Sequence, residues 1–444
     1  MPIETTGINN STRVPASGYD LTSKNISGKP VIPTGTNGKE EKDGDTGATA
    51  QNVQLNSFIQ HSGVNLPWGY NHTGGYSRYG WDVGKNPWGG ADEGFSVKRA
   101  ELDQDMALIK TNNMKYCRVF IFCDFRTGLV YDGSGNPTGF DSKVYPDMSA
   151  LVDSAKNHNI KLIPVLTDYL IADGLTAQGG LGEHPEFITN DVKRAHLIGV
   201  LRPFVRNFGT NETIAVWDVM NEPEEGVKRG IVSQPQMKVF LNDLVNMVKQ
   251  EDPGTPVSIG HKYKYDLNDY AETNCPITQV HYYDEMAYYP PPGWDFNSPA
   301  SSISSNKNVF FGEVQPSDVE YKLQTAATNG YTGVLFWSLH DPYARTFADF
   351  STNYHNWTSA KFREIHSNLS FVSFKLSVNK SNISASISPT YEGNVYSIER
   401  CTNGLVNPSW QTISNIPAAP GVNITGAILP INKGQGFFRA VVMP

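Results

Sequence analysis

Four consecutive stretches, DVKRAHLIGVLRPFVRNF (191–208), IAVWDVMNE (214–222), QPQMKVFLNDLVNMVKQED (234–252) and VSIGHKY (257–263), decide the fold. In the first and third, apolar residues return every three or four positions, as on one face of a helix. The second and fourth are short apolar runs rich in Val and Ile, as expected of strands covered on both faces of a parallel sheet. Each long helical stretch lies between two such runs. A connection of that length lets neighbouring strands run parallel.

The same alternation extends in both directions. Upstream lie the strand-like runs GVNLPWGY (63–70), YCRVFIF (116–122) and KLIPVLTDYL (161–170), and downstream ITQVHYY (277–283), VFFGEV (309–314) and GVLFWSL (333–339). Between them, helices are predicted at SVKRAELDQDMALIKTNN (96–113), DMSALVDSAKNHN (147–159) and VEYKLQTAATNG (319–330), with a small one at about 266–273. Asp147 is placed to cap the second of these, and Asn-Gly to end the third. Eight strand–helix repeats predict an α/β protein, a (β/α)₈ TIM barrel over residues 55–366. Residues 369–444 are different. Apolar and polar residues alternate and break at Asn-Gly and Asn-Pro, so a small all-β sandwich domain is expected. Residues 1–50 are rich in Gly, Thr, Asn, Ser and Lys, without periodicity, and read as a disordered segment or linker.

Composition narrows the function. The 444 residues carry 36 Lys and Arg against 44 Asp and Glu, a net charge of −8, which argues against a nucleic-acid binder. No apolar run is long enough to span a bilayer, and no secretory signal is visible at MPIETTGINN. The four cysteines, Cys117, Cys123, Cys275 and Cys401, form no CxxC pair and read as buried free thiols. No phosphate-binding, dinucleotide or zinc motif occurs, so no cofactor and no metal are expected. Asp132-Gly-Ser-Gly-Asn136 lacks the ligand pattern of a calcium loop and reads as a turn. Aromatic residues make up 11%, many beside Gly, Pro and Asn in loops. Trp68, Trp81, Trp88, Tyr289 and Trp294 are candidate platforms for the flat face of a sugar ring.

In such barrels, reacting groups stand at the C-terminal ends of the strands. Strand 4 ends in Asn221-Glu222-Pro223, strand 7 in Gly312-Glu313, strand 6 in His281-Tyr282-Tyr283 and strand 8 in Trp337, while strand 2 carries Arg118. Arg118 alternates with Cys117 and is expected to point into the barrel. Glu224 and Glu225 read as surface or supporting residues.

This set, in this order, resembles the clan A glycoside hydrolases, and within them most the cellulase-like glycoside hydrolase family 5, over about residues 55–366. The resemblance implies a retaining, endo-acting β-glycoside hydrolase on a β-linked polysaccharide of mannan or glucan type. In such enzymes one carboxylic acid protonates the leaving oxygen and a second carboxylate, roughly 5–5.5 Å away, attacks the anomeric carbon. It assigns Glu222 as acid/base and Glu313 as nucleophile. Asn221 would bond the 2-hydroxyl, and Arg118 and Tyr283 would hold Glu313 ionised. His281 would position the acid or the sugar, and Trp337 would floor the −1 subsite. Burial and a neighbouring carboxylate are expected to raise the pKa of Glu222. One departure stands out. Many family members carry a His at the end of strand 3, where this chain has Thr167-Asp168-Tyr169. Asp168 is therefore either a contact to sugar hydroxyls or a loop hydrogen bond. An exo-β-glycosidase or transglycosylase on oligosaccharides, and a carbohydrate-binding barrel without activity, are the competing readings. The substrate class implies a secreted or extracellular protein.

Overall fold

The structure is a computed structural model. It describes residues 54–367, apart from 68–78, 86–93, 174–183, 265–266, 268–269, 271–274, 289–293 and 341–346, and six strands between 373 and 443. The disordered segment expected at 1–50 lies outside the described residues, as does most of the small helix expected at about 266–273. The chain divides at Leu369 into a unit carrying the α/β alternation and a second unit of strands.

Eight strands close into a parallel barrel: β1 Gly63–Leu66, β2 Tyr116–Phe120, β3 Lys161–Val165, β4 Trp217–Asn221, β5 Val257–His261, β6 Ile277–Tyr282, β7 Asn308–Val314 and β8 Val334–Phe336. Each pairs with its sequence neighbours, and β8 returns to β1, where Gly63 lies opposite Leu335. All eight predicted strands are present. The main helices are α1 Arg99–Thr111, α2 Val144–Asn157, α3 Asp191–Gly209, α4 Gln234–Glu251, α5 Val319–Thr328 and α6 Phe347–Ser367.

The helix ends follow ordinary capping chemistry with one exception. The Asn190 side chain accepts from the amides of Val192 and Lys193 to start α3, and Ser233 forms a capping box with Gln236 at the start of α4. Asp147, expected as a cap, is instead inside the first turn of α2, which begins three residues earlier at Val144. Asp141 takes over near the helix start by accepting from Lys143 N at 2.7 Å. The Asp147 carboxylate turns inward and accepts from Gly84 N and Ser96 N, holding the loop after β1 to the helix. Asp132 does form a turn. Its Oδ1 accepts from Ser134 N and Asn136 N, each at 2.8 Å, between the arms of a hairpin, Leu129–Tyr131 and Pro137–Phe140, which the sequence reading lacked.

Inside the barrel, side chains are layered. Tyr116, Ile163, Val216, Ile277, Phe310 and Leu335 form one buried apolar cluster. Two residues further along, at the period of a strand, stand Arg118, Asp218 and Gln279, all fully buried. This polar layer lies beneath the site.

In the second unit, β9 Ser373–Asn379, β10 Asn382–Ser388 and β13 Thr425–Pro430 form one antiparallel sheet. A second joins β11 Val395–Cys401, β12 Trp410–Pro417 and β14 Phe437–Met443.

Candidate active site

Strict alternation would turn Glu313 outward with Phe311, because Phe310 belongs to the interior layer. The register between β6 and β7 shifts there: Val280 pairs with Phe311, but His281 pairs with Glu313. Gly312 is the extra residue, and the bulge rotates Glu313 to the barrel mouth. A Cβ at Gly312 would lie 2.5 Å from Gln279 Cδ, so a side chain there would collide with the polar layer. Strand β4 shifts similarly. Asp218 pairs with Ser258 and Asn221 with Gly260, three steps against two, which brings Asn221 inward. Glu222 follows with left-handed backbone, φ 43° and ψ 53°, and its N–H donates to Gly260 O at 2.7 Å. That sharp turn aims the carboxyl across the mouth before Pro223 starts a short helix.

The two glutamates face each other, and one oxygen of each, with a ring nitrogen of His281, lies within 4.8 Å of the others. Their surroundings differ. Glu313 accepts from Arg118 Nη1 at 2.8 Å and from the Tyr283 hydroxyl at 2.6 Å. Glu222 faces no buried guanidinium at bonding distance. Its Oε1 lies 2.9 Å from His281 Nδ1, and its Oε2 lies 3.7 Å from Lys262 Nζ. Burial pushes its pKa up to about 7; Lys262 opposes that rise, and Glu224 and Glu225 add to it. The neighbouring carboxylates that raise it are thus its own sequence neighbours. His281 is fully buried, and burial pushes its pKa down to about 3, so the ring is neutral. Among the described residues those three side chains are a set that could converge on a cation, but each already has a partner within the site.

Arg118 points into the barrel as expected and organises the floor. It donates from Nε to Asp218 at 2.9 Å, from Nη1 to Asn65 at 3.1 Å and Glu313, and from Nη2 to Asn221 Oδ1 at 2.8 Å. Gln279 adds a bond of 2.8 Å to Asp218. Asn221 uses its amide fully oriented, with Oδ1 on Arg118 and Nδ2 donating to Asp168 Oδ2 at 2.7 Å.

Asp168 has no exposed surface. Of its two sequence readings, the hydrogen-bonding one holds: it also accepts from Leu170 N at 2.9 Å, and burial raises its pKa well above the usual carboxylate range. In this structure the side chain has no exposed surface to offer a sugar hydroxyl. Trp337 is partly exposed at the mouth, its ring edge-on to Phe120 at 5.9 Å, and Trp81 packs on the same cluster. Trp294 is a correction. It is fully buried against Tyr282 and Phe311, so it is core and offers no platform. Trp68, Trp88 and Tyr289 lie outside the described residues. Cys117, Cys123 and Cys275 are buried free thiols.

Sequence reasoning missed Asn65, Asp218, Gln279 and Lys262. The first three are polar residues at interior positions of apolar strands, a signal that period-2 counting reveals. Lys262 directly follows β5 and obeys the same strand-end rule as the others. Glu224, read as surface or supporting, is buried and pairs with His261 at 2.5 Å.

No family profile matches the chain. A mannan endo-1,4-beta-mannosidase of Mytilus edulis is 22% identical over 328 residues, 63% of this chain and 83% of the relative. One from Cryptopygus antarcticus is 25% identical over 171 residues, 38% of this chain and 39% of the relative. Among solved structures, an endo-1,4-beta-mannanase from Eisenia fetida matches with TM-score 0.52 at 17% identity, covering 67% of this chain and 90% of that one. The beta-mannanase of the blue mussel Mytilus edulis matches with TM-score 0.51 at 17% identity, covering 68% and 97%. The structural likenesses carry the barrel fold. The sequence likeness to two mannan endo-1,4-beta-mannosidases accords with the expected resemblance to glycoside hydrolases.

Proposed function

We propose that this chain is a retaining, endo-acting β-1,4-mannan hydrolase. The observation that carries the reading is the facing pair Glu222 and Glu313, with carboxylate oxygens within 4.8 Å, each in a different electrostatic setting. Inverting enzymes need about 6.5–9.5 Å between carboxyl groups to admit a water, whereas about 5–5.5 Å suits direct attack. The sequence relatives are named as mannan hydrolases, which favours mannan over glucan.

In the first step, Glu313 attacks the anomeric carbon while Glu222 gives its proton to the departing oxygen. Arg118 and Tyr283 donate to Glu313 and aim it. Burial keeps Glu222 protonated up to about pH 7. In the second step, Glu222 takes a proton from water, whose oxygen displaces Glu313. Asn221, locked by Arg118 and Asp168, has a second amide hydrogen for the sugar 2-hydroxyl. His281 steadies the acid, and Trp337 offers a face to the −1 sugar.

Residues 55–366 form the catalytic domain in this reading. The two three-stranded sheets of 369–444 support a separate β-sandwich domain, and a polymeric substrate supports a secreted or extracellular protein. The test is to combine a polysaccharide panel with variants. Mannan should release β-configured oligosaccharides first by time-resolved NMR. Glu222→Ala should turn over dinitrophenyl glycosides and be rescued by azide to a β-glycosyl azide, while Glu313→Ala should be dead on every substrate. First appearance of the α anomer, or hydrolysis surviving both substitutions, overturns the assignment.

A further inference from the structure

We propose that Lys262 is a positioning residue that acts through Glu222, easing release of its proton so that one carboxyl can serve as acid and then as base. The inference rests on the roles proposed for Glu222 and Glu313. In the first step Glu222 must hold a proton, and in the second it must lack one. Burial alone serves only the first. Something nearby has to favour the anion without quenching the acid.

Lys262 occupies that position. It directly follows β5 and faces Oε2 of Glu222, the oxygen that His281 does not hold. Its Nζ lies 3.7 Å from Glu222 Oε2 and 3.1 Å from Glu225 Oε1. At 3.7 Å the ammonium stabilises the Glu222 anion without a tight ion pair that would hold it ionised. Glu225, which holds the ammonium at the shorter distance, anchors it and draws off part of its field. The backbone on both sides is fixed. Lys262 N donates to Glu224 Oε2 at 3.3 Å, and Glu224 is held by His261. The side chain is 26% exposed, so the cation remains hydrated and charged.

The other charged or titratable groups around Glu222 do not supply this effect. From its own element, Glu224 and Glu225 raise its proton affinity. From β6, His281 is neutral; the Tyr283 hydroxyl is committed to Glu313. From β7, Glu313 brings no positive charge. From β3, Asp168 and Tyr169 bring no positive charge. From β2, Arg118 favours the anion less than Lys262 does and is shared among Asp218, Glu313, Asn65 and Asn221. In the second step the proton passes from water to Glu222 Oε, the water oxygen bonds the anomeric carbon, and the pair of the breaking bond returns to Glu313. Lys262 neither gives nor takes a proton.

Lys262→Met and Lys262→Gln are compared with Lys262→Arg on two aryl β-mannosides. An opposite charge at this range typically moves a carboxyl by about one to three units. The basic limb of kcat/KM should therefore move up by about one unit or more in the neutral variants. With dinitrophenyl as leaving group, where breakdown of the intermediate limits kcat, the acidic limb should move up too. Lys262→Arg should keep both limbs near the parent. Independently of turnover, the pH dependence of Tm, referenced to the same variant carrying Glu222→Gln, should shift upward in step. Limbs and Tm profile unchanged, or a change in KM alone, overturns the proposal. Azide rescue of Glu222→Ala separates the two levels: if rescue fails, the roles fail; if rescue succeeds and the limbs stay put, only Lys262's role fails.

Discussion

The Asn221 amide donates to the buried Asp168 carboxylate at 2.7 Å, and this contact fixes which way the amide faces. Arg118 holds the oxygen end of the same amide, so a flip would set donor against donor and acceptor against acceptor. Asp168, just beyond β3, thereby acts on the site through Asn221.

Removing it should be felt at the transition state. Asp168→Ala removes one of the two partners that orient Asn221, and kcat/KM should fall about tenfold, the range for one lost buried hydrogen bond. The loss should fall mainly on kcat. Asp168→Asn keeps an acceptor and should be milder. Steady-state kinetics within twofold of the parent for Asp168→Ala would remove the role.

Tyr283→Phe deletes the 2.6 Å hydroxyl contact to Glu313 and nothing else of the ring. We expect kcat/KM to fall about 10- to 100-fold, with Tm changed by only a few degrees, because one charge-assisted bond is lost at a site otherwise held by Arg118. An equal loss with dinitrophenyl and poor leaving groups would place the effect on the nucleophile rather than the acid.

Arg118 separates charge from geometry. Arg118→Lys keeps the charge, but one ammonium cannot reach Asp218, Glu313, Asn65 and Asn221 together. Activity should fall by about 100-fold or more while the fold persists. Arg118→Met leaves two buried carboxylates without their shared cation and should cost about 3–5 kcal/mol in denaturant unfolding. A fully stable, active Met variant would contradict the network.

Glu222 predicts a trade between stability and function. Its carboxyl binds a proton more tightly folded, at about 7, than at the ordinary value of 4.5. The folded state therefore holds more protons between those values. Stability from this group is complete below about pH 4.5 and is lost as pH rises through 7, about 3 kcal/mol in all. Glu222→Gln should thus be more stable than the parent at pH 8 by up to about that amount, and nearly equal to it at pH 4. Tm measured at both values checks the sign. His281, whose pKa falls to about 3, loses stability on the acid side in parent and variant alike, so it cancels in the comparison.

What was legible in the chain followed from periodicity and local chemistry. Continuous apolar runs such as Leu162–Leu166 between amphipathic stretches predicted eight strands, and eight close the barrel, because burial on both faces leaves a mark on composition. That Glu222 and Glu313 meet at the barrel mouth was legible because strand ends are where a barrel presents side chains. The left-handed turn at Glu222 and the bulge at Gly312 were not legible, since they arise from register against neighbouring strands. Asp168, Asp147 and Trp294 carry no local sign of where they point. A carboxylate reads the same whether it meets water, an amide or a helix turn, and an indole the same whether it stacks on sugar or on Phe311. Only packing decided those, because burial is a property of what arrives from elsewhere in the chain: Asn221 lies 53 residues beyond Asp168, and Glu313 lies 195 beyond the Arg118 that holds it.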